Sequence, residues 1–205
     1  MFITFEGPEG SGKTSQIVAL AAFLTEHNYP VLATREPGGT RIGDQVRACL
    51  HDVANREMTA VAEMLLYSAS RAQHVAEIIR PQLAAGAIVL CDRFVDSTLA
   101  YQGYGRGLDL DALKLISRFA TAGLKPDLTL FLDIDVEVGL ARRLANEEEM
   151  NRLDLETLSF HQRVRAGYHE LMALEPARWL MVDADRPFAD VQQELQTIVL
   201  QHLQK

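Results

Sequence analysis

The chain has 205 residues, of which 48% are hydrophobic, so its length and composition suit one compact domain with a substantial core. Twenty Lys and Arg residues stand against 28 Asp and Glu residues, which gives a net charge of −8. This balance argues against a protein that coats nucleic acid or a membrane surface, so an anionic ligand would need a local concentration of arginines.

The chain begins with an apolar predicted strand, residues 2–5, which leads into a glycine-rich segment, residues 7–14. The spacing G-x-x-x-x-G-K-T is that of a Walker A loop, in which glycines let backbone N–H groups converge on a nucleotide phosphate. Lys13 is expected to reach the β- and γ-phosphates, and Thr14 to offer its hydroxyl to Mg²⁺. The residues predicted to hold the nucleotide are Gly7, Pro8, Glu9, Gly10, Ser11, Gly12, Lys13 and Thr14.

Short β-rich runs alternate with longer helical patterns along the rest of the chain, which predicts an α/β fold with a parallel sheet. The predicted strands are residues 2–5, 31–34, 87–91, 128–132 and 179–182. The predicted helices are residues 13–26, 41–50, 60–84, 110–121, 136–145, 155–174 and 188–203. Pro81 is expected to kink or end the third helix, because proline removes a helical N–H and crowds the preceding turn.

Two predicted strands end in an aspartate, the pattern of a Walker B metal-binding carboxylate. Asp92 follows residues 87–91, and Asp133 follows residues 128–132. Asp92 is preferred because Arg93 adjoins it and places a phosphate-binding guanidinium beside the carboxylate. A structural ion pair between Asp92 and Arg93 is the alternative.

A phosphate loop alone does not choose between a GTPase switch, a motor ATPase and a small-molecule kinase. The guanine-reading signature N-K-x-D does not occur in the sequence, which argues against a GTPase. A kinase that acts on a small phosphorylated acceptor needs a second anion site opposite the loop, for which the candidates are Arg35, Arg47, Arg71, Arg93 and Arg106.

Several motifs together resemble the bacterial thymidylate kinase family from one end of the chain to the other. They are TREPGGT at 34–40, DRFVDST at 92–98, AYQGYGRG at 100–107 and NRLDLE at 151–156, besides the loop at 7–14. The resemblance implies a three-layer P-loop kinase fold with a central five-stranded parallel sheet, helices on both faces and a short lid. It also implies transfer of a phosphoryl group from ATP, with Mg²⁺, to dTMP for dTTP synthesis.

The resemblance also assigns the acceptor site. Arg35, Glu36 and Arg47 fall on the dTMP side, Arg93 falls where the donor and acceptor phosphates meet, and Glu9 faces the deoxyribose 3′-hydroxyl. Tyr67, Arg71, Thr98 and Gln102 fall around the base, and Tyr101 leaves little room for a ribose 2′-hydroxyl. From spacing alone Tyr67 reads as a core aromatic residue, although it shares a helix face with Arg71.

The phosphate loop contains no basic residue before Lys13, so the resemblance implies that the lid supplies the transition-state cation. The lid is placed at approximately residues 142–153 of a single domain spanning residues 1–205. Arg143 and Arg152 are the candidates for this cation. Arg142 is predicted on the donor side, and so is Arg186, whose segment otherwise reads as a plain turn.

We further expect a cytoplasmic homodimer whose partners are ATP and dTMP rather than a nucleic-acid polymer or a membrane. The N-terminus has no basic stretch followed by an apolar one, and no segment has about eighteen uninterrupted apolar residues. Two alternatives stay open from the sequence: a related P-loop kinase for a deoxynucleoside or other small acceptor, and a nucleotide-binding switch.

Overall fold

The computed structural model describes residues 1–145 and 151–204, and within these ranges five strands form one parallel sheet. The strands are β1 (Phe2–Glu6), β2 (Val31–Arg35), β3 (Ile88–Asp92), β4 (Leu128–Asp133) and β5 (Trp179–Asp183). Their order is β2-β3-β1-β4-β5, so β1 lies at the centre, and its Ile3 pairs with Leu90 of β3 and Leu128 of β4. All five predicted strands are confirmed, each with the carboxyl end at the same edge of the sheet.

The helices agree with the predicted segments to within a few residues. They are α1 (Lys13–Glu26), α2 (Arg41–His51), α3 (Ala60–His74), α4 (Arg80–Ala84), α5 (Val95–Thr98), α6 (Leu110–Ala120), α7 (Val136–Leu144), α8 (Leu158–Leu174) and α9 (Phe188–Leu203). Thr40, Thr59 and Thr157 cap α2, α3 and α8 by accepting hydrogen bonds from backbone N–H groups of the first turn. Among the described residues, no helix combines the length and the apolar character needed to cross a membrane.

Two features of the helices differ from the prediction. The segment 60–84 is one helical run in which the π-helical stretch Val75–Ile79 separates α3 from α4, so the disturbance expected from Pro81 falls in the turn before it. In addition, α5 continues into a second π-helical stretch, Leu99–Gly105, where no helix was predicted. Glycine has a low helix propensity, so the glycines of this segment weaken the helical signal in the sequence.

Alternation along the strands gives the sheet two buried faces. On one face, Ile3 and Phe5 of β1 pack with Leu20 of α1 and Leu195 of α9. The other face carries Phe2, Thr4 and Glu6, and is covered by α3, α5, α6 and α8. This three-layer arrangement confirms the predicted fold class, and it leaves Glu6 buried at the carboxyl end of β1.

Candidate active site

A cavity of about 620 Å³ lies at the carboxyl edge of the sheet, where ligands bind in open α/β folds. The loop after β1, the ends of β2 and β3, and helices α3, α5 and α7 contribute to its wall. The predicted site residues that line it are Glu9, Gly10, Gly12, Lys13, Thr14, Arg35, Glu36, Arg47, Tyr67, Arg71, Asp92, Arg93, Thr98, Tyr101, Gln102, Arg142 and Arg143. The structure thus brings most of the predicted residues of both substrate sites into one cavity.

The phosphate loop is held in shape by its own lysine. Lys13 Nζ donates to Gly7 O at 3.1 Å, to Pro8 O at 2.8 Å and to Ser11 Oγ at 3.0 Å, so these three residues contact Lys13 although they do not line the cavity. Burial, together with the nearby Arg93 guanidinium, lowers the pKa of Lys13 to about 8. An anion bound beside Nζ would raise the pKa of Lys13 again and stabilise its charge. The loop is therefore suited to bind a phosphate.

The loop also fits tightly against helix α7. Gly10 has φ +70°, and a Cβ atom there would come within 1.9 Å of Gly139 O; a Cβ at Gly139 would come within 2.3 Å of Glu9 O. Only glycine suits both positions. Because this contact holds the N-terminal half of α7 against the loop, Arg142 and Arg143 near the end of the helix lie beside the cavity. The sequence-based prediction missed Gly139.

Thr14, in the first turn of α1, meets Asp92 at the carboxyl end of β3. Thr14 Oγ1 donates to Asp92 Oδ2 at 2.5 Å. The other candidate, Asp133, instead accepts hydrogen bonds from Arg165 at 2.8 and 2.9 Å. The structure therefore favours Asp92 over Asp133, since Asp92 lies beside the loop, and the Thr14 hydroxyl and the Asp92 carboxylate offer oxygens that suit Mg²⁺.

Arg93 lies between the phosphate loop and the rest of the cavity. Its backbone has φ +67°, uncommon for a residue with a side chain, and turns the chain so that Nη2 donates to Glu9 Oε1 at 2.9 Å and Nη1 to Gly7 O at 3.1 Å. Nη1 also donates to the hydroxyls of Ser97 and Tyr168. The guanidinium thus faces Glu9 and Gly7, whereas the Asp92 carboxylate faces Thr14, which argues against the alternative of a structural Asp92–Arg93 pair.

Glu9 and Tyr101 form the wall beyond Arg93. Tyr101 donates its hydroxyl to Glu9 Oε1 at 2.9 Å, and its ring lies 4.9 Å from the Arg93 guanidinium carbon. Burial would raise the pKa of Glu9, but Arg93, Lys13 and the Tyr101 hydrogen bond outweigh it and lower the pKa to about 2. Glu9 is therefore an ionised acceptor that can take a hydrogen bond from a substrate hydroxyl.

Two arginines face the cavity from its β2 side. Arg47 Nη1 donates to Pro37 O at 3.0 Å, and Arg35 Nη2 is 3.4 Å from Asp44 Oδ1 across a half-exposed pair. Burial and the neighbouring Arg35 lower the pKa of Arg47. Two guanidinium groups on the same wall of the cavity suit an anion, as the sequence predicts for the second anion site.

The inner end of the cavity contains the residues predicted around the base. Tyr67 and Arg71 both line it from α3, so their shared face, inferred from the spacing, is confirmed. Arg71 is fixed in place: it donates to Glu36 Oε2 at 2.6 Å, to Thr98 Oγ1 at 2.9 Å and to Phe94 O at 2.9 Å. Glu36 therefore reaches the cavity chiefly as the partner of Arg71.

The three arginines of the predicted lid differ in their position relative to the cavity. Arg143 lines the cavity and donates to Asp154 Oδ2 at 3.1 Å, while Arg142 lines it and donates to Ala184 O at 3.0 Å. Arg152 is 7% exposed, donates to Leu50 O and pairs with Glu63, and does not line the cavity in this conformation. The central part of the predicted lid, residues 146–150, lies outside the described residues.

Arg186, predicted on the donor side, lies apart from the other donor-side residues. It pairs with Glu194 of α9, donates to Asp183 O at 3.1 Å, and does not line the cavity. The alternative reading of its segment, a structural turn after β5, accounts for these contacts.

Glu63 is the main site residue that the sequence-based prediction missed. Its carboxylate is fully buried and accepts hydrogen bonds from Gln102, Arg106 and Arg152. The signal was present in the sequence, because Glu63, Tyr67 and Arg71 follow one another at intervals of four residues on one helix face. His51 also lines the cavity, and burial and Arg47 lower its pKa to about 4, so it is neutral at pH 7.

Known proteins match the chain over nearly its whole length. A family model described as thymidylate kinase matches residues 5–195. The thymidylate kinase of Roseiflexus sp. (strain RS-1) is 50% identical over 99% of this chain and 95% of its own, and that of Geotalea daltonii is 52% identical over 98% and 97%. The crystal structure of thymidylate kinase from Ehrlichia chaffeensis has a TM-score of 0.79 and 34% identity, and covers 98% of both chains.

Proposed function

The chain belongs to the thymidylate kinase family, and from this premise we propose that its cavity transfers the γ-phosphoryl group of ATP to dTMP and yields ADP and dTDP. The observation that carries the proposal is the position of Arg93, which bonds both the phosphate loop through Gly7 O and the acceptor wall through Glu9. A switch protein has no need of a second anion site opposite its nucleotide. A kinase for an unphosphorylated deoxynucleoside has no need of Arg35 and Arg47 facing the same space.

The donor half consists of residues 7–14 with Arg142. The loop and Lys13 would hold the β- and γ-phosphates of ATP, and Arg142 would contact ATP at the outer end of the cavity. Thr14 and Asp92 would hold Mg²⁺, which neutralises charge on the transferring phosphates when bound.

The acceptor half consists of Glu9 and the cavity residues predicted to bind dTMP. Arg35 and Arg47 would bind the dTMP phosphate, Glu9 would accept from the 3′-hydroxyl, and Tyr101 beside it would exclude a 2′-hydroxyl. Tyr67 would stack on thymine, with Arg71, Thr98 and Gln102 around its polar edge. Because both phosphates are negative, most of the catalysis would be positioning and charge neutralisation.

Arg143 is the better placed of the two candidate transition-state cations, since it already lines the cavity, whereas Arg152 would first have to leave Glu63. We propose residues 142–153 as a lid within a single domain, where closure would exclude water from the transferring phosphate.

The same enzyme would act in dTTP synthesis as a homodimer. Large apolar side chains are exposed on the adjoining helices α3 and α6: Val61, Leu65, Leu115 and Phe119 are 51–89% exposed. Such a surface suits burial against a second copy of the chain. Sedimentation would test this stoichiometry, and the cytoplasmic location stays a prediction.

An acceptor panel tests the reaction and the substrate together. With Mg-ATP as donor, we expect dTMP to have the highest kcat/KM among dTMP, dUMP, dCMP, dGMP and thymidine, because only dTMP supplies both the phosphate for Arg35 and Arg47 and the methylated imide base. The measurement is ADP formation together with the identity of the phosphorylated product. Turnover of thymidine as fast as that of dTMP would favour the deoxynucleoside kinase alternative.

Replacing Asp92 by asparagine tests the metal site. The introduced amide can still accept a hydrogen bond from Thr14, so the fold should be kept, but loss of the charge should raise the Mg²⁺ concentration for half-maximal activity by about 10–100-fold. Asp133→Asn is the matched control at the end of the neighbouring strand β4, and should leave this concentration unchanged. Equal effects of the two substitutions would contradict the assignment.

A further inference from the structure

The carboxylate of Glu63 lies behind the inner wall of the cavity, in the first turn of α3. It is 0% exposed, and it accepts from Gln102 Nε2 at 2.8 Å and from Arg106 Nε and Nη2 at 3.2 and 3.1 Å. Arg152 donates to its second oxygen. Gln102 itself is 2% exposed and lines the cavity, so Glu63 touches a proposed base-binding residue from the side away from the ligand.

Glu63 is ionised in this environment. Burial alone would raise its pKa, but the hydrogen bonds from Arg106, Gln102 and Arg152 outweigh burial and lower the pKa below its usual value. An ionised carboxylate accepts hydrogen bonds and donates none. The atom of Gln102 that faces Glu63 must therefore be the NH₂ group and cannot be the carbonyl oxygen.

This constraint decides what Gln102 can offer to a ligand. A side-chain amide normally presents either an acceptor or a donor by rotating through 180°. Nε2 carries two N–H groups, and one of them is donated to Glu63, so the amide cannot rotate to turn its carbonyl oxygen towards the ionised Glu63. Gln102 lines the cavity, and Oε1 is held on the other side of the amide, where it can serve the cavity as an acceptor.

We propose that Glu63 is a specificity-positioning residue, which fixes the Gln102 amide so that the site accepts a pyrimidine with an N3–H donor and rejects cytosine. Thymine and uracil carry a proton on N3, whereas N3 of cytosine is a lone pair that would meet the lone pairs of Gln102 Oε1. Arg71 adds to the discrimination, since its guanidinium only donates and would oppose the 4-amino group of cytosine. The inference rests on the proposed binding of dTMP in this cavity.

A second role of Glu63 must be separated from this one. It also holds Arg106 and Arg152, so its loss would disturb the packing and the lid whatever happened to Gln102. Disturbances of that kind reduce turnover of every nucleotide alike. The ratio of kcat/KM between dTMP and dCMP isolates the orientation of the amide, because the two substrates share their sugar and phosphate.

The test is Glu63→Gln, assayed with dTMP, dUMP and dCMP. The introduced glutamine can donate or accept, so the Gln102 amide becomes free to rotate, and the dTMP/dCMP ratio should fall by about tenfold or more. The dTMP/dUMP ratio should not change, since both bases have the N3–H. Arg106→Gln is the control that removes an ion pair from Glu63 and keeps the Gln102 bond; it should leave the dTMP/dCMP ratio intact.

A double-mutant cycle with Gln102→Ala completes the design. Once the amide is gone, Glu63→Gln should cause no further change in the dTMP/dCMP ratio. Should Glu63→Gln not remain folded, Glu63→Asp keeps the charge but shortens the side chain, and its ratio should lie between those of the wild type and Gln102→Ala. An unchanged ratio in a folded Glu63 variant would overturn the inference while leaving the proposed function intact, and a wild type inactive on dTMP would overturn the proposed function itself.

Discussion

Replacing Lys13 by alanine is expected to reduce kcat for phosphoryl transfer by about 10²–10³-fold, with the fold retained. Among the described residues, Lys13 is the only lysine that lines the cavity, and its Nζ already lies among the loop oxygens of Gly7, Pro8 and Ser11. In the complex it would exchange these neutral partners for the β- and γ-phosphates. Alanine leaves the backbone N–H groups of the loop in place, so ATP should still bind, but the charge that develops during transfer has lost its cation.

The pH dependence gives a second measure of the same residue. With a pKa of about 8 in the free protein, Lys13 is charged below that pH and loses its proton above it. The kcat/KM for ATP, which reports on the free enzyme, should therefore fall as the pH rises through about 8, and Lys13→Ala should lack this step. Lys114→Ala, at a surface pair with Asp111, is the control and should match the wild type. If the Lys13→Ala enzyme kept full activity, the assignment of the ATP site to this loop would be wrong.

The parts of the site that the sequence predicts are those encoded by residues close together in the chain. The phosphate loop needs its glycines, Lys13 and Thr14 at fixed spacing, and the structure brings them together as expected. Asp92 could be preferred to Asp133 because Arg93 is its neighbour, and the hydrogen bond from Thr14 agrees with that choice. All five strands could be predicted from short β-rich runs for the same reason, because that signal is local.

What the sequence did not predict depends on contacts between distant residues. Glu63 meets Gln102 across 39 residues and Arg152 across 89, and no local pattern encodes either pairing. Gly139 looks like an ordinary helical glycine until the phosphate loop is placed against it. Arg152 was predicted near the phosphates, but its buried pair with Glu63 holds it elsewhere in this conformation. The sequence therefore shows which chemistry a side chain can perform, but its interaction partner depends on the fold.

Arg93 is expected to show the largest effect in the acceptor half. Arg93→Ala should lower kcat by about 10³-fold or more, since an arginine that stabilises the transferring phosphoryl group accounts for effects of that size. Hydrogen bonds fix the orientation of the guanidinium. It donates to the Glu9 carboxylate, the Gly7 carbonyl oxygen and the hydroxyls of Ser97 and Tyr168. Those two hydroxyls in turn contact the buried Glu6, so the position of the guanidinium depends on a network that reaches into the sheet.

Arg93→Lys should recover little of the lost activity, because a lysine keeps the charge but lacks the planar fork that reaches Glu9 and Gly7 together. The control is Arg165→Ala, which removes an arginine of α8 that pairs with Asp133 outside the cavity lining; its kcat should stay close to that of the wild type. Pre-steady-state measurement of dTDP formation separates the chemical step from product release. If Arg93→Lys formed dTDP at the wild-type rate, charge alone would suffice, and the geometry of the fork would have no part in the transfer.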